Sequence, residues 1–157
     1  MTKEKINEYT LRISQANRSE LIVILYEMAL DYIGAALRAL DDSDHDSLRL
    51  ECGRAGKVVS DLIGALDYKY ELSNSLRQVY TFIQSRISLA VVRNSREDLK
   101  KAEEMLKKLK GSFEEIAKND KSKSLMSNQQ NIYTGLTYGK KAIYDSLTTE
   151  VRRGFTV

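Results

Sequence analysis

The chain contains no proline among its 157 residues and only eight glycines. Because proline and glycine are the residues that most often interrupt a helix, their scarcity leaves long uninterrupted stretches for helix formation. Apolar residues in these stretches recur at spacings of three and four, which places them on one face of an α-helix. The sequence therefore predicts an all-α fold, namely an antiparallel up-and-down four-helix bundle with an additional C-terminal helical segment.

Local signals place the four helices of the bundle. The first begins after Asn17, whose side chain can cap it together with Glu20 in a capping box, and it runs to about Leu40. An aspartate-rich polar turn precedes the second helix. The third helix spans about residues 73–92, and Ser95 caps the fourth.

The last part of the chain differs from the bundle. Its apolar residues could line a helix face, yet Gly135 and Gly139 would each cost about 1 kcal/mol inside a helix. A close approach to another element could compensate for this cost, and a kinked or frayed tail is the alternative. We predict one domain with four parts: an N-terminal arm (1–16), a four-helix core (17–118), a polar linker (119–130) and a C-terminal segment packing on the bundle (131–157).

The composition argues against several classes of protein. The longest apolar run, residues 21–26, is far shorter than the roughly 18 residues that span a bilayer, so no membrane insertion is expected. The charged N-terminus lacks the apolar core of a secretory signal, which favours a cytoplasmic location. A formal net charge of +3 with interleaved Glu and Lys does not favour nucleic-acid binding.

Catalytic and metal-binding patterns are also missing from the sequence. There is one histidine, which lies in the acidic turn, and one cysteine, Cys52, which lies on an apolar helix seam. These residue types are the usual bases, nucleophiles and metal ligands of enzymes. We therefore expect no enzyme, no catalytic residue, no cofactor and no metal site, and the remaining expectation is a protein that binds other proteins.

The first and third predicted helices carry more apolar surface than one seam of a bundle uses. In the first helix, residues 21–25 are all apolar, so that nearly every side of this turn is hydrophobic. Such a helix is either central in the bundle or contributes to a groove that another segment fills. An amphipathic helix from a partner would suit a groove of this kind.

Two blocks of sequence resemble a known family. Residues 20–30, Glu-Leu-Ile-Val-Ile-Leu-Tyr-Glu-Met-Ala-Leu, resemble the opening helix of the FliS-type flagellin export chaperones. Residues 66–86 are similar to that family's second-to-third helix junction and third helix. Tyr9 and Ile13 stand roughly where the family has an N-terminal tyrosine and a small apolar residue.

The resemblance covers about residues 9–117, with two departures. Arg18 stands where the family often has proline, and residues 69–70, Lys-Tyr, replace a common Gly-Gly turn. The resemblance implies a cytoplasmic chaperone that binds the disordered C-terminal segment of flagellin, blocks premature filament assembly and presents the subunit for flagellar type III secretion. Components of the flagellar export apparatus are further candidate partners.

The resemblance and the apolar surplus together give a set of candidate groove residues. Each could equally belong to the core of the bundle. They are Ile22, Leu25, Tyr26, Ala29, Ile33, Tyr80, Ile83 and Ile87.

Two segments are candidates for covering this groove when no client is bound. The N-terminal arm would use Ile6, Tyr9 and Ile13. The C-terminal segment would act as a pseudo-substrate through Tyr133, Gly135, Leu136, Tyr138, Gly139 and Ile143. The sequence does not choose between the two, and a self-associating structural bundle or a basic nucleic-acid-binding module are the alternative functions.

Overall fold

The computed structural model describes residues 1–126, in which five α-helices and no strands occur. These helices are α1 (Lys3–Gln15), α2 (Arg18–Asp41), α3 (His45–Gly64), α4 (Glu71–Arg93) and α5 (Arg96–Asn119). The all-α prediction is confirmed. The predicted C-terminal segment and its candidate cover residues lie outside the described residues.

Side-chain caps mark the starts of four of the five helices within residues 1–126, and α4 begins without one. The Asn17 side chain accepts a hydrogen bond from the Glu20 amide at 2.9 Å, and the Glu20 carboxylate accepts one from the Asn17 amide at 2.9 Å. This is the capping box that the sequence predicts, and it starts α2. Asp44 caps α3 and Ser95 caps α5 in the same manner, through amides three residues further on.

Helices α2 to α5 form a four-helix bundle. Each of these helices packs mainly against two neighbours, so that α2 lies between α3 and α5 while α4 closes the opposite side. Tyr26 and Tyr80 meet in the core, where their hydroxyl oxygens lie 2.5 Å apart and share a hydrogen bond. The Tyr26 ring also lies 5.5 Å, centroid to centroid, from Phe113 of α5. No helix within residues 1–126 is long and apolar enough to cross a bilayer.

The residues of the predicted N-terminal arm form a helix, α1, that lies outside this bundle. Thr2 caps α1, and the helix packs mainly on α2. Its buried residue Tyr9 forms a small apolar cluster with Ala16 and Ile24, and Met28 packs against both this cluster and the main core. The bundle therefore has one peripheral helix, and its location determines which part of α2 is covered.

Candidate partner-binding surface

Helix α2 is apolar on two opposite sides. Tyr26, Ala29 and Ile33 point into the bundle core and are fully buried. Ile24 and Met28 lie two residues before and after Tyr26, which rotates them about 200° around the helix axis. Together with Leu21, they form what we call the outer face of α2: Leu21, Ile24 and Met28. The apolar surplus predicted for this helix is thus a second face.

Helix α1 covers the outer face. Tyr9 is 5% exposed and packs with Ile24 and Ala16, while Ile13 lies at the edge of the same cluster. Of the three predicted cover residues in this region, Tyr9 and Ile13 belong to the cluster, whereas Ile6 is 48% exposed. The outer face of α2 is therefore occupied by a helix of the same chain.

Polar contacts complete the attachment of α1. The Tyr9 hydroxyl donates a hydrogen bond to Asp31 at 2.5 Å, and Lys5 forms an ion pair with the same carboxylate at 2.7 Å. Burial, followed by the neighbouring Asp31 carboxylate, raises the pKa of Tyr9 above its ordinary value. Arg12 pairs with Glu27 at 2.5 Å. These pairs are partly exposed to solvent, and such pairs contribute little to stability.

The small cluster and its exposed ion pairs make α1 the least firmly held helix. Local opening in proteins favours segments with few buried apolar contacts. The bundle helices each bury at least two large apolar side chains in the shared core, whereas α1 buries one, Tyr9. Release of α1 would expose the outer face of α2 and leave the core intact.

The structure places most of the candidate groove residues in the bundle core. Six side chains are between 0% and 3% exposed and face the other bundle helices: Tyr26, Ala29, Ile33, Tyr80, Ile83 and Ile87. They are closed to a partner in the folded bundle, because each packs against neighbouring helices. Helical periodicity identifies an apolar face but not what covers it, and in this structure these six side chains belong to the core, the alternative that the sequence left open. Leu25 is partly buried against the same core.

Ile22, the remaining candidate, lines an apolar pocket at one end of the bundle. The pocket has a volume of about 340 Å³ and lies between the start of α2, the end of α3, the start of α4 and Phe113 of α5. Tyr70 and Leu72 form its rim and are 67% and 64% exposed. We call this feature the end pocket.

Sequence reasoning missed several residues of these two surfaces. Leu21, Ile24 and Met28 of the outer face fall in the same apolar run as the candidates that were chosen. Helical geometry could have separated them from the core-facing residues, because residues 24 and 28 lie on the opposite side of the helix from residue 26. Tyr70 and Leu72 carried no such signal, since they flank a helix start.

The single cysteine of the sequence lies in the bundle core. Cys52 is buried, and burial raises the pKa of its thiol to about 11. Within residues 1–126 no group of three or more His, Cys, Asp or Glu side chains could hold a metal ion. The surfaces described above are apolar, and they are suited to packing against another helix.

Comparison with known proteins identifies the family. The family model described as "Flagellar protein FliS" matches residues 3–120, which span all five helices. No curated protein matches the chain. The match begins at the first residue of α1 and ends directly after α5, so it includes both the peripheral helix and the bundle. Since it covers well over half of the sequence, the chain belongs to the FliS family of flagellar export chaperones.

Proposed function

We propose that this protein binds the C-terminal segment of flagellin in the cytoplasm, holds it as amphipathic helices, prevents its premature polymerisation and hands it to the flagellar type III export apparatus. An unassembled segment of this kind is disordered and has an adhesive apolar face. A chaperone that covers this face with a helix-binding surface would keep the subunit soluble until export. Membership of the FliS family supports this role.

The proposed binding surface is the outer face of α2. The observation that carries this proposal is that α1, itself an amphipathic helix, already occupies Leu21, Ile24 and Met28. A face that accepts one amphipathic helix has the shape and polarity to accept another. We propose that the client displaces α1, and that the end pocket around Ile22 offers a second apolar contact.

If the client displaces α1, its binding free energy is the free energy of docking the client on the outer face minus that of docking α1 there. The client must replace the contacts of Tyr9 and Ile13, and it must also lose conformational entropy as it becomes helical. Both costs lower the apparent affinity below that of the exposed face alone. A moderate affinity suits a chaperone that releases its client at the export apparatus.

The test is calorimetric titration of the full chain with a peptide from the last ~40 residues of its host's flagellin, which is long enough for several docked helices. Circular dichroism of the mixture measures any gain in helix. We expect submicromolar binding with helix formation. The absence of binding would contradict the proposed client.

A pair of variants tests the location of the surface. Ile24→Asp places a charge on the outer face, whereas Val92→Asp makes the same kind of change at a side chain of α4 that is 79% exposed. We expect Ile24→Asp to weaken peptide binding, because a carboxylate cannot be buried there without a partner. The loss in apparent affinity should be smaller than the loss for the exposed face alone, since the same charge also weakens the docking of α1. We expect Val92→Asp to bind as the wild type does. If both variants bind the peptide with equal affinity, the client does not bind the outer face of α2.

Self-association is the second candidate function, and exposed apolar residues of α4 favour it. Leu72, Phe82 and Val92 are each more than 40% exposed. Apolar side chains of this size at the surface can pair with a second copy. Light scattering of the purified chain distinguishes the two, because the chaperone proposal expects a monomer and the alternative expects a stable oligomer.

A further inference from the structure

A short segment after α5 crosses the corner between α1 and α2. We call residues Asp120–Met126 the strap. The backbone amide of Leu125 donates a hydrogen bond to the carbonyl of Ala16 at 3.0 Å. The hydroxyl of Ser19 donates to the Asp120 carboxylate at 2.5 Å. The strap is therefore attached to the corner at both of its ends, across more than 100 positions of sequence.

Asn17 connects the strap to the capping box of α2. Its side-chain nitrogen Nδ2 donates to the carbonyls of Asp120 and Ser122 at 3.3 and 3.4 Å, while its side-chain oxygen accepts from the backbone amide of Glu20. Asn17 is 4% exposed and the neighbouring Ala16 is 3% exposed. The corner about which α1 would have to turn is thus buried, and its polar groups are engaged by the strap.

A further contact reaches the end of α1 itself. The Ser124 hydroxyl lies 3.4 Å from the carbonyl oxygen of Ser14 and donates to it. Hydrogen bonds from Ser122 and Ser19 lower the pKa of Asp120 to about 2, so this carboxylate is charged at neutral pH. A charged acceptor makes the bond from Ser19 stronger than a neutral one.

We propose that the strap is a latch that holds α1 on the outer face of α2. Its bonds to Ala16 and Ser14 restrain the two residues at which α1 would swing away from the bundle. By linkage, opening the strap favours release of α1, and release of α1 favours opening of the strap. The consequence for flagellin, that opening the strap makes the client surface accessible, rests on the proposed function.

Most of the strap lies beyond the region that the family model matches. The match to the FliS family model ends at residue 120, so that residues 121–126 lie beyond it. The strap also leads directly into the remaining residues 127–157. Any partner that bound those residues and pulled the strap from the corner would act on α1 through the hydrogen bonds described above.

Hydrogen exchange of the full chain, without flagellin, tests the latch. Leu125→Pro removes the amide that donates to Ala16, and Leu125→Ala keeps this amide while it removes a side chain that is 51% exposed. Since one hydrogen bond changes an opening equilibrium by roughly two- to tenfold, we expect the α1 amides to exchange faster by that factor in Leu125→Pro. Leu125→Ala should exchange as the wild type does. Ser19→Ala, a milder variant, should accelerate α1 in the same direction.

The amides of α3 and α4 are the internal reference for these measurements. They should exchange at the wild-type rate in all three variants, because the strap hydrogen bonds described above go to α1, α2 and the corner between them. The latch is refuted if α1 is unchanged in both Leu125→Pro and Ser19→Ala, or if α1 and the core helices accelerate equally. It is also refuted if Leu125→Ala matches Leu125→Pro, because the side chain would then account for the effect.

The reciprocal experiment uses a variant in α1. Tyr9→Phe loosens α1 and should accelerate exchange of the Leu125 amide by a factor similar to that for α1. An unchanged Leu125 amide in this variant would also overturn the coupling. Because none of these measurements uses flagellin, failure of the latch and failure of the proposed client are distinguishable. A later calorimetric titration of Leu125→Pro with the flagellin peptide connects the latch to the proposed function, and we expect tighter binding than by the wild type.

Discussion

Removing the hydroxyl group of Tyr9 should release α1 without changing the shape of the interface. The Tyr9 ring is 5% exposed and stays in the apolar cluster in a Tyr9→Phe variant. The hydroxyl donates to Asp31 at 2.5 Å, and this bond is lost. Asp31 keeps its ion pair with Lys5, and its side chain is 30% exposed, so that its charge remains partly hydrated.

The size of the effect follows from these contacts. A hydrogen bond to a charged group contributes about 1.5–3 kcal/mol, and the remaining hydration of Asp31 favours the lower end of this range. A change of about 1.4 kcal/mol corresponds to a tenfold change in an equilibrium constant. We therefore expect α1 to open roughly tenfold more often in Tyr9→Phe. If the client binds only the open form, its apparent Kd should fall by the same factor.

Two assays measure the prediction, with a matched control. Hydrogen exchange reports opening of α1, and calorimetry with the flagellin peptide reports the apparent Kd. Tyr32→Phe is the control, because the Tyr32 hydroxyl takes part in no hydrogen bond within residues 1–126. Faster α1 exchange with unchanged peptide affinity would refute displacement of α1 by the client. Unchanged exchange of the α1 amides would show that the Tyr9–Asp31 hydrogen bond does not hold α1 on the bundle.

The remaining predictions concern the core and the tail. Tyr26→Phe and Tyr80→Phe should each lower the free energy of unfolding by about 1–3 kcal/mol, since each leaves one buried hydroxyl without its partner; urea denaturation should show the double variant to be less destabilised than the sum. Burial raises the pKa of the Cys52 thiol from 9.0 to about 11. The thiol should therefore react with a thiol reagent roughly a hundredfold more slowly in the native chain than after unfolding. Rapid labelling of the native chain would contradict a buried thiol. If residues 127–157 cover the client surface as a pseudo-substrate, a chain ending at Met126 should bind the flagellin peptide more tightly in calorimetry, and unchanged or weaker binding counts against that cover.

The starts of α2 and α5 could be predicted from the sequence because the interactions that define them are local. Asn17 and Glu20 exchange hydrogen bonds across three residues, and Ser95 bonds the amide of Asp98 across the same spacing. No other part of the protein is needed for these contacts. Such caps and helical periodicity account for α2, α3 and α5, whereas α4 lacks a side-chain cap and follows from periodicity alone.

The division between core and surface could not be predicted in this way. Periodicity places Tyr26, Tyr80 and Ile83 on apolar faces, but it contains no information about which faces meet. In the folded chain these residues meet one another in the core, while Ile24, from the same apolar run, points away from it. The surface available to a partner therefore depends on how the helices are arranged.

Sequence alone determined the all-helical class, the caps and the excess of apolar surface on α2, since each depends on residues within a few positions of one another. The tertiary structure decided that α1 covers this excess and that the strap is bonded to Ala16 and Asn17. Those contacts join residues far apart in the chain. They exist only after the bundle has brought the end of α5 beside the start of α2, because packing rather than local propensity determines which distant segments meet.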